Sequence, residues 1–149
     1  MTDIELDIAQ LLRHRDTMLL LNRLIEASDT HGIGEVLIDT GSQFFESGRG
    51  VPAYVGIEYM AQTVAAFDGA QQIRNGGDAQ IGFLLGSRLY ESDRDYFEDG
   101  DRLEIRVDMV FNEGGMGSFN CTISVNGVPS TTATLNVYRP DHEAMENMT

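Results

Sequence analysis

The chain has 149 residues, 42% of them hydrophobic, and carries 24 acidic residues against 10 basic ones, all arginine, for a formal net charge of −14. That length and apolar content suit one domain with one core, and the acidity excludes a phosphate-backbone binder, which needs a basic surface to displace counterions. The lone Cys121 allows no internal disulfide or cysteine-based metal site, no apolar run approaches the roughly 20 residues that cross a bilayer, and the acidic start Met1-Thr2-Asp3-Ile4-Glu5 lacks both the basic and the apolar part of a secretory signal. The expected setting is the cytoplasm, with neither nucleic acid nor membrane as partner.

In chain order, Ile8 to Leu12 reads as a short helix. Thr17 to Ala27 follows, where Met18-Leu19-Leu20-Leu21 fits a buried strand or a helix turn, with strand preferred. Asp29-Thr30-His31-Gly32 reads as a turn and Gly34 to Thr40 as a strand. Gly56 to Ile73 breaks the β pattern: Ile57, Met60, Val64 and Phe67 recur at helical spacing, and Asn75-Gly76-Gly77 is a helix terminator. The opposite face is small, with Ala65, Ala66 and Gly69 around Glu58 and Gln62. A helix apolar on most sides is expected to be buried on most sides, and a carboxylate there is costly unless paired or used.

The second half reads as strands. Gln80 to Tyr90 is one. In Arg102 to Phe111, Leu103, Ile105, Val107, Met109 and Phe111 alternate with Arg102, Glu104, Arg106 and Asp108, the period-two signature of a sheet with one buried face. Phe119, Cys121, Ile123 and Val125 repeat it, so Cys121 reads as packing. Asn126-Gly127 supplies the positive-φ pair of a tight hairpin, and Thr131 to Tyr138 returns as the last strand. One long helix among about six antiparallel strands, two before it and four after, is an α+β arrangement with the sheet wrapped around the helix. The domain is expected to span 1–140, with 141–149 a loose acidic tail in which His142 is solvated.

Four stretches resemble the 3-hydroxyacyl-acyl-carrier-protein dehydratases. They are Leu11 to Arg23 around His14, Val51-Pro52-Ala53-Tyr54-Val55-Gly56-Ile57-Glu58-Tyr59-Met60-Ala61-Gln62, Gly100-Asp101-Arg102-Leu103, and Ala133-Thr134-Leu135. Order and spacing agree over nearly the whole chain. The wording from Val51 to Gln62 is most similar to the dehydratase-like proteins encoded with aryl-polyene pigment pathways. The resemblance implies a hotdog fold, usually a dimer with its active sites at the subunit interface. There a histidine of one subunit faces a helix carboxylate of the other.

By that resemblance Glu58 is the catalytic carboxylate. Ala53, Tyr54 and Val55 are substrate-binding residues near the helix start, and Gln62, one turn on, supports the site. Dehydrating a 3-hydroxyacyl thioester needs a base for the C2 proton and an acid for the departing hydroxyl, while helix N-terminal amides polarise the carbonyl. No metal or other cofactor is implied; the acyl chain would ride on the phosphopantetheine of an acyl carrier protein or of coenzyme A. The partners implied are a second copy or another hotdog chain, with a carrier protein possible. Arg13 and Arg15 read more readily as solvated side chains than as a phosphate site.

One departure matters. The family histidine lies in a Gly-His-Phe-Pro motif shortly before the helix, but here Phe44-Phe45-Glu46-Ser47-Gly48-Arg49-Gly50-Val51-Pro52 is shorter and has no histidine. His14 reads as structural and His31 as a turn residue. Three functions stay open: a dehydratase component whose histidine comes from elsewhere, a hotdog thioesterase using Glu58 alone, and a non-catalytic subunit.

Overall fold

The computed structural model describes residues 19–76 and 83–138. The expected helix over Ile8 to Leu12, residues His14, Arg13 and Arg15, and the 141–149 tail with His142 lie outside them. Six antiparallel strands form one sheet: β1 (Arg23–Ala27), β2 (His31–Leu37), β4 (Phe83–Ser92), β6 (Arg102–Glu113), β7 (Met116–Val125) and β8 (Val128–Tyr138). Their order is β1-β2-β6-β7-β8-β4, so β1 and β4 are the edges. A two-stranded pair, β3 (Val51–Pro52) with β5 (Tyr96–Phe97), sits apart. The helix α1 (Gly56–Arg74) touches all six strands of the main sheet, which wraps it in the hotdog arrangement expected.

Burial follows the alternation. Leu103, Ile105 and Val107 on β6 and Phe119, Cys121, Ile123 and Val125 on β7 are all buried against α1. The Cys121 thiol is pushed up to about 12 by that burial, which leaves it a packing group rather than a nucleophile. Phe67 meets Phe119 edge-on at 5.9 Å. The β7–β8 turn has both central residues at positive φ, 51° at Asn126 and 87° at Gly127, as the sequence requires of a tight hairpin.

β2 begins at His31, earlier than the Gly34 start expected, because His31 and Gly32 already pair with Asp108 and Val107. The turn is Ser28 to Thr30, closed by the Ser28 amide donating to the His31 carbonyl. Within the segment expected as a strand from Thr17, β1 covers only Arg23–Ala27. Alternation in β6 fails at a bulge between Met109 and Phe111, which leaves Phe111 47% exposed. Close approach of β2 to α1 depends on Gly34, where an added Cβ would lie 2.7 Å from Thr63 Oγ1.

Glu35 on β2 is the one buried carboxylate among the described residues. It is shared by Arg23 at 2.9 Å and Arg102 at 2.8 Å, from the strands on either side. Those hydrogen bonds, Arg23's foremost, outweigh desolvation and hold the carboxyl below its ordinary value. A carboxyl depressed in the folded state stabilises above its unfolded pKa and stops doing so as pH falls through its folded one. Glu35→Gln is therefore expected to cost about 1–3 kcal/mol at neutral pH. The gap to wild type should close in acid. Urea midpoints at pH 7 and pH 3 test this; a gap that persists unchanged at pH 3 would refute it.

Candidate active site

Residues 44–55 bring the chain into the helix through a narrow passage. Glu46 and Gly50 bridge each other, with backbone bonds of 2.8 and 2.9 Å, and close a tight turn. Val51 and Pro52 then pair with Phe97 and Tyr96. A single 3-10 turn, Ala53–Val55, leads into α1. The turn also occupies the stretch where the resembling family carries its histidine. Glu46 and Arg49 there are engaged with one phenol: Tyr96 donates to Glu46 Oε1 at 3.2 Å, and Arg49 donates to the Tyr96 oxygen at 3.2 Å. The segment is a clasp tying the turn to β5.

Glu58 lies in the first turn of α1 and is exposed, which corrects the expectation of a buried carboxylate. The sheet of one chain covers Tyr59, Met60, Thr63, Val64, Ala66 and Phe67 but leaves a stripe through Glu58 and Ala65 uncovered. Gln62, half-buried on the same stripe, donates to Glu58 Oε1 at 3.5 Å and accepts the Leu20 amide at 2.9 Å. It links the carboxylate to the chain entering β1. Tyr59 points the other way, 2% exposed and 6.1 Å from the Phe97 ring, and takes no part in holding Glu58.

Tyr54, one turn before Glu58, is 70% exposed and so is not a core aromatic. Ala53 and Val55 are buried. The Ala53 amide, expected to be available to a substrate carbonyl, is spent on the Asp95 carbonyl at 2.8 Å. The Ala53 carbonyl accepts the Tyr90 hydroxyl. Tyr90, on β4, thereby locks the helix entrance to the sheet edge, and burial pushes its phenol up to about 12. Neither contact was legible from spacing, because each crosses more than 35 residues of chain.

No imidazole accompanies the carboxylate among the described residues. His31, the only histidine described, is buried between Ser28 Oγ at 2.7 Å and Glu26 Oε2 at 3.1 Å. It sits beside the far end of α1, where Gln71 donates to the Ser28 carbonyl. Thirteen helical positions separate residues 58 and 71, about 20 Å at 1.5 Å per residue. The site of one chain thus holds one carboxylate, an amide and an exposed phenol on an open helix stripe beside the chain entering β1. A lone carboxylate can accept or deliver a proton, and cannot fill both posts at once. No described cluster of His, Cys, Asp or Glu could hold a metal, and no described helix is long and apolar enough to cross a membrane.

A model of the family described as ApeP-like, ApeP dehydratase, matches residues 6–149. The 3-hydroxyacyl-[acyl-carrier-protein] dehydratase FabZ of Acinetobacter baumannii is 23% identical over 134 residues, 87% of this chain and 91% of that protein. Among solved structures, a chain of the dehydratase heterocomplex ApeI:P from Xenorhabdus doucetiae superposes with a TM-score of 0.88 and 27% identity, covering 97% of this chain and 98% of that one. A hypothetical thioesterase of Streptococcus pneumoniae, solved with coenzyme A, shares the fold at a TM-score of 0.62 and 13% identity, over 78% of this chain and 83% of that one.

Proposed function

Because the chain belongs to the ApeP-like dehydratase family, we propose that it is the carboxylate-bearing half of a 3-hydroxyacyl-thioester dehydratase whose imidazole comes from a second hotdog chain. The observation that carries this reading is the pairing of an exposed Glu58 with the absence of any described histidine near it. The resemblance to a chain of a dehydratase heterocomplex supports it. The partner's imidazole would take the C2 proton. The C2–H pair becomes the C2–C3 double bond, the C3–O bond breaks, and Glu58 delivers its proton so that the hydroxyl leaves as water. Gln62 would hold the carboxylate, and Tyr54 and Val55 would line the entrance for an acyl chain carried on phosphopantetheine. Both proton posts are then side chains, so the chemistry needs no metal or organic cofactor. A cytoplasmic dimer of unlike chains is the proposed working form.

The test assays this chain alone, a Gly-His-Phe-Pro-bearing hotdog chain of the same organism alone, and the pair, on a 3-hydroxyacyl thioester. Enoyl product and free thiol are followed together. The pair is expected to form enoyl product at a rate at least about 100-fold above this chain alone, the scale of one missing acid–base group. Full dehydration by this chain alone would overturn the reading. Free thiol without enoyl product would replace it with thioester hydrolysis.

A further inference from the structure

Leu89 combines two costs that the chain itself does not repay. It is the most exposed large apolar residue described, at 76%. It also sits at φ 57°, a left-handed conformation that suits glycine or asparagine and strains a branched side chain. The conformation comes from a bulge in β4: Arg88 pairs with Thr134 and Glu91 with Thr132, so three steps on β4 oppose two on β8. The bulge turns Tyr90 inward to the Ala53 carbonyl and leaves Leu89 outward in water. Glycine would make the same bulge with less strain and no exposed leucine. Such strain persists in folded proteins chiefly where function needs the geometry.

Leu89 lies on the free edge of the sheet, since β4 has β8 on one side and no described strand on the other. Leu84 and Leu85 on the same strand are also exposed, at 43% and 55%. An unblunted apolar edge is a pairing surface. Its neighbour Arg88 indicates what pairs there. Arg88 lies opposite Thr134, which alternates with buried Ala133 and Leu135, so it stands on the outer face of the sheet. Arg88 has no acidic partner among the described residues, whereas Arg23, Arg94, Arg102 and Arg106 all do. It is also next to the midpoint of Phe83–Ser92. Two copies paired antiparallel about that midpoint would set Arg88 opposite or diagonal to its own copy, a like-charge contact that disfavours self-pairing. A different chain with an acid at that place gains the contact.

We propose that Leu89, presented by the strained bulge, is the apolar anchor that seats a second, non-identical hotdog chain on β4, and that Arg88 selects that chain over a second copy. This rests on the heteromeric reading above. The experiment measures the Kd of this chain for the Gly-His-Phe-Pro-bearing hotdog chain, the self-association of each variant, and the Tm of each variant alone. Leu89→Gly is expected to weaken the pair at least tenfold while the Tm of the isolated chain holds or rises. Leu89→Asp should abolish pairing, and Arg88→Ser should weaken the mixed pair and let self-association appear. Val110→Ser, at an exposed apolar residue on β6, inside the sheet and away from the β4 edge, should change nothing. Unchanged affinity in Leu89→Gly overturns the anchor, as does a fall in Tm that accounts for the loss. Unchanged pairing preference in Arg88→Ser overturns the selector. If the wild-type chains do not pair at all, the heteromeric reading fails and takes this inference with it.

Discussion

Glu58→Gln is expected to cut enoyl formation by the mixed pair by about 10²–10⁴-fold, the range for losing a positioned acid or base, and to leave the Tm of the isolated chain within about 2 °C of wild type. The amide keeps the volume of the carboxylate and a hydrogen-bonding place beside Gln62 Nε2, 3.5 Å away, but has no proton to give at neutral pH. Stability is insensitive because the group is exposed in the single chain: surface substitutions away from caps and buried networks stay within about 0.5 kcal/mol, worth about 2 °C at this chain length. A buried carboxylate, as the sequence suggested, would instead have stabilised the chain on neutralisation. Rate and Tm together decide the matter. Activity that survives the substitution removes Glu58 from the chemistry, and a collapsed Tm makes it structural.

Gly50→Ala is expected to lower the Tm by about 6–12 °C, equivalent to about 3 kcal/mol for a chain of this size. Gly50 lies at φ 120°, outside the range L side chains adopt, and an added Cβ would stand 2.2 Å from the Phe97 carbonyl oxygen and 3.2 Å from the Glu98 Cα. Those are backbone atoms that cannot rotate away. Relief requires β3 and β5 to part, which loosens the Pro52–Tyr96 pairing and the Ala53 amide bond to Asp95 that set the start of α1. The mixed pair should therefore lose turnover as well, since Glu58 is carried one turn beyond that anchor. Gly48→Ala is the control. Its φ is 78° but nothing lies within 4 Å of the added Cβ, so only the backbone cost of about 1–2 kcal/mol applies. Equal Tm values for the two variants would show that the approach of Gly50 to Phe97 carries no weight.

Local patterns are legible in the order of residues alone. The alternation from Arg102 names the buried face of β6, Asn126-Gly127 names the β7–β8 hairpin, and Asn75-Gly76 names the end of α1. The order of strands around one helix is enough for the α+β wrap, and the run from Val51 to Gln62 points to the dehydratase family and its hotdog fold. These features depend on periods of two or 3.6 residues and on short turns, so they are written along the chain itself. What the tertiary structure alone decided are contacts between distant segments. The bulges at Met109 and Leu89 arise from register against a neighbouring strand, and they turn Phe111 outward and Tyr90 inward against the simple alternation. Glu35 is held by arginines from two other strands, and Asp95 occupies the Ala53 amide from more than 40 residues away. Exposure of Glu58 was beyond sequence reasoning for the same reason. Whether a helix stripe is covered depends on how far one sheet can curl around it, and this sheet leaves the stripe open.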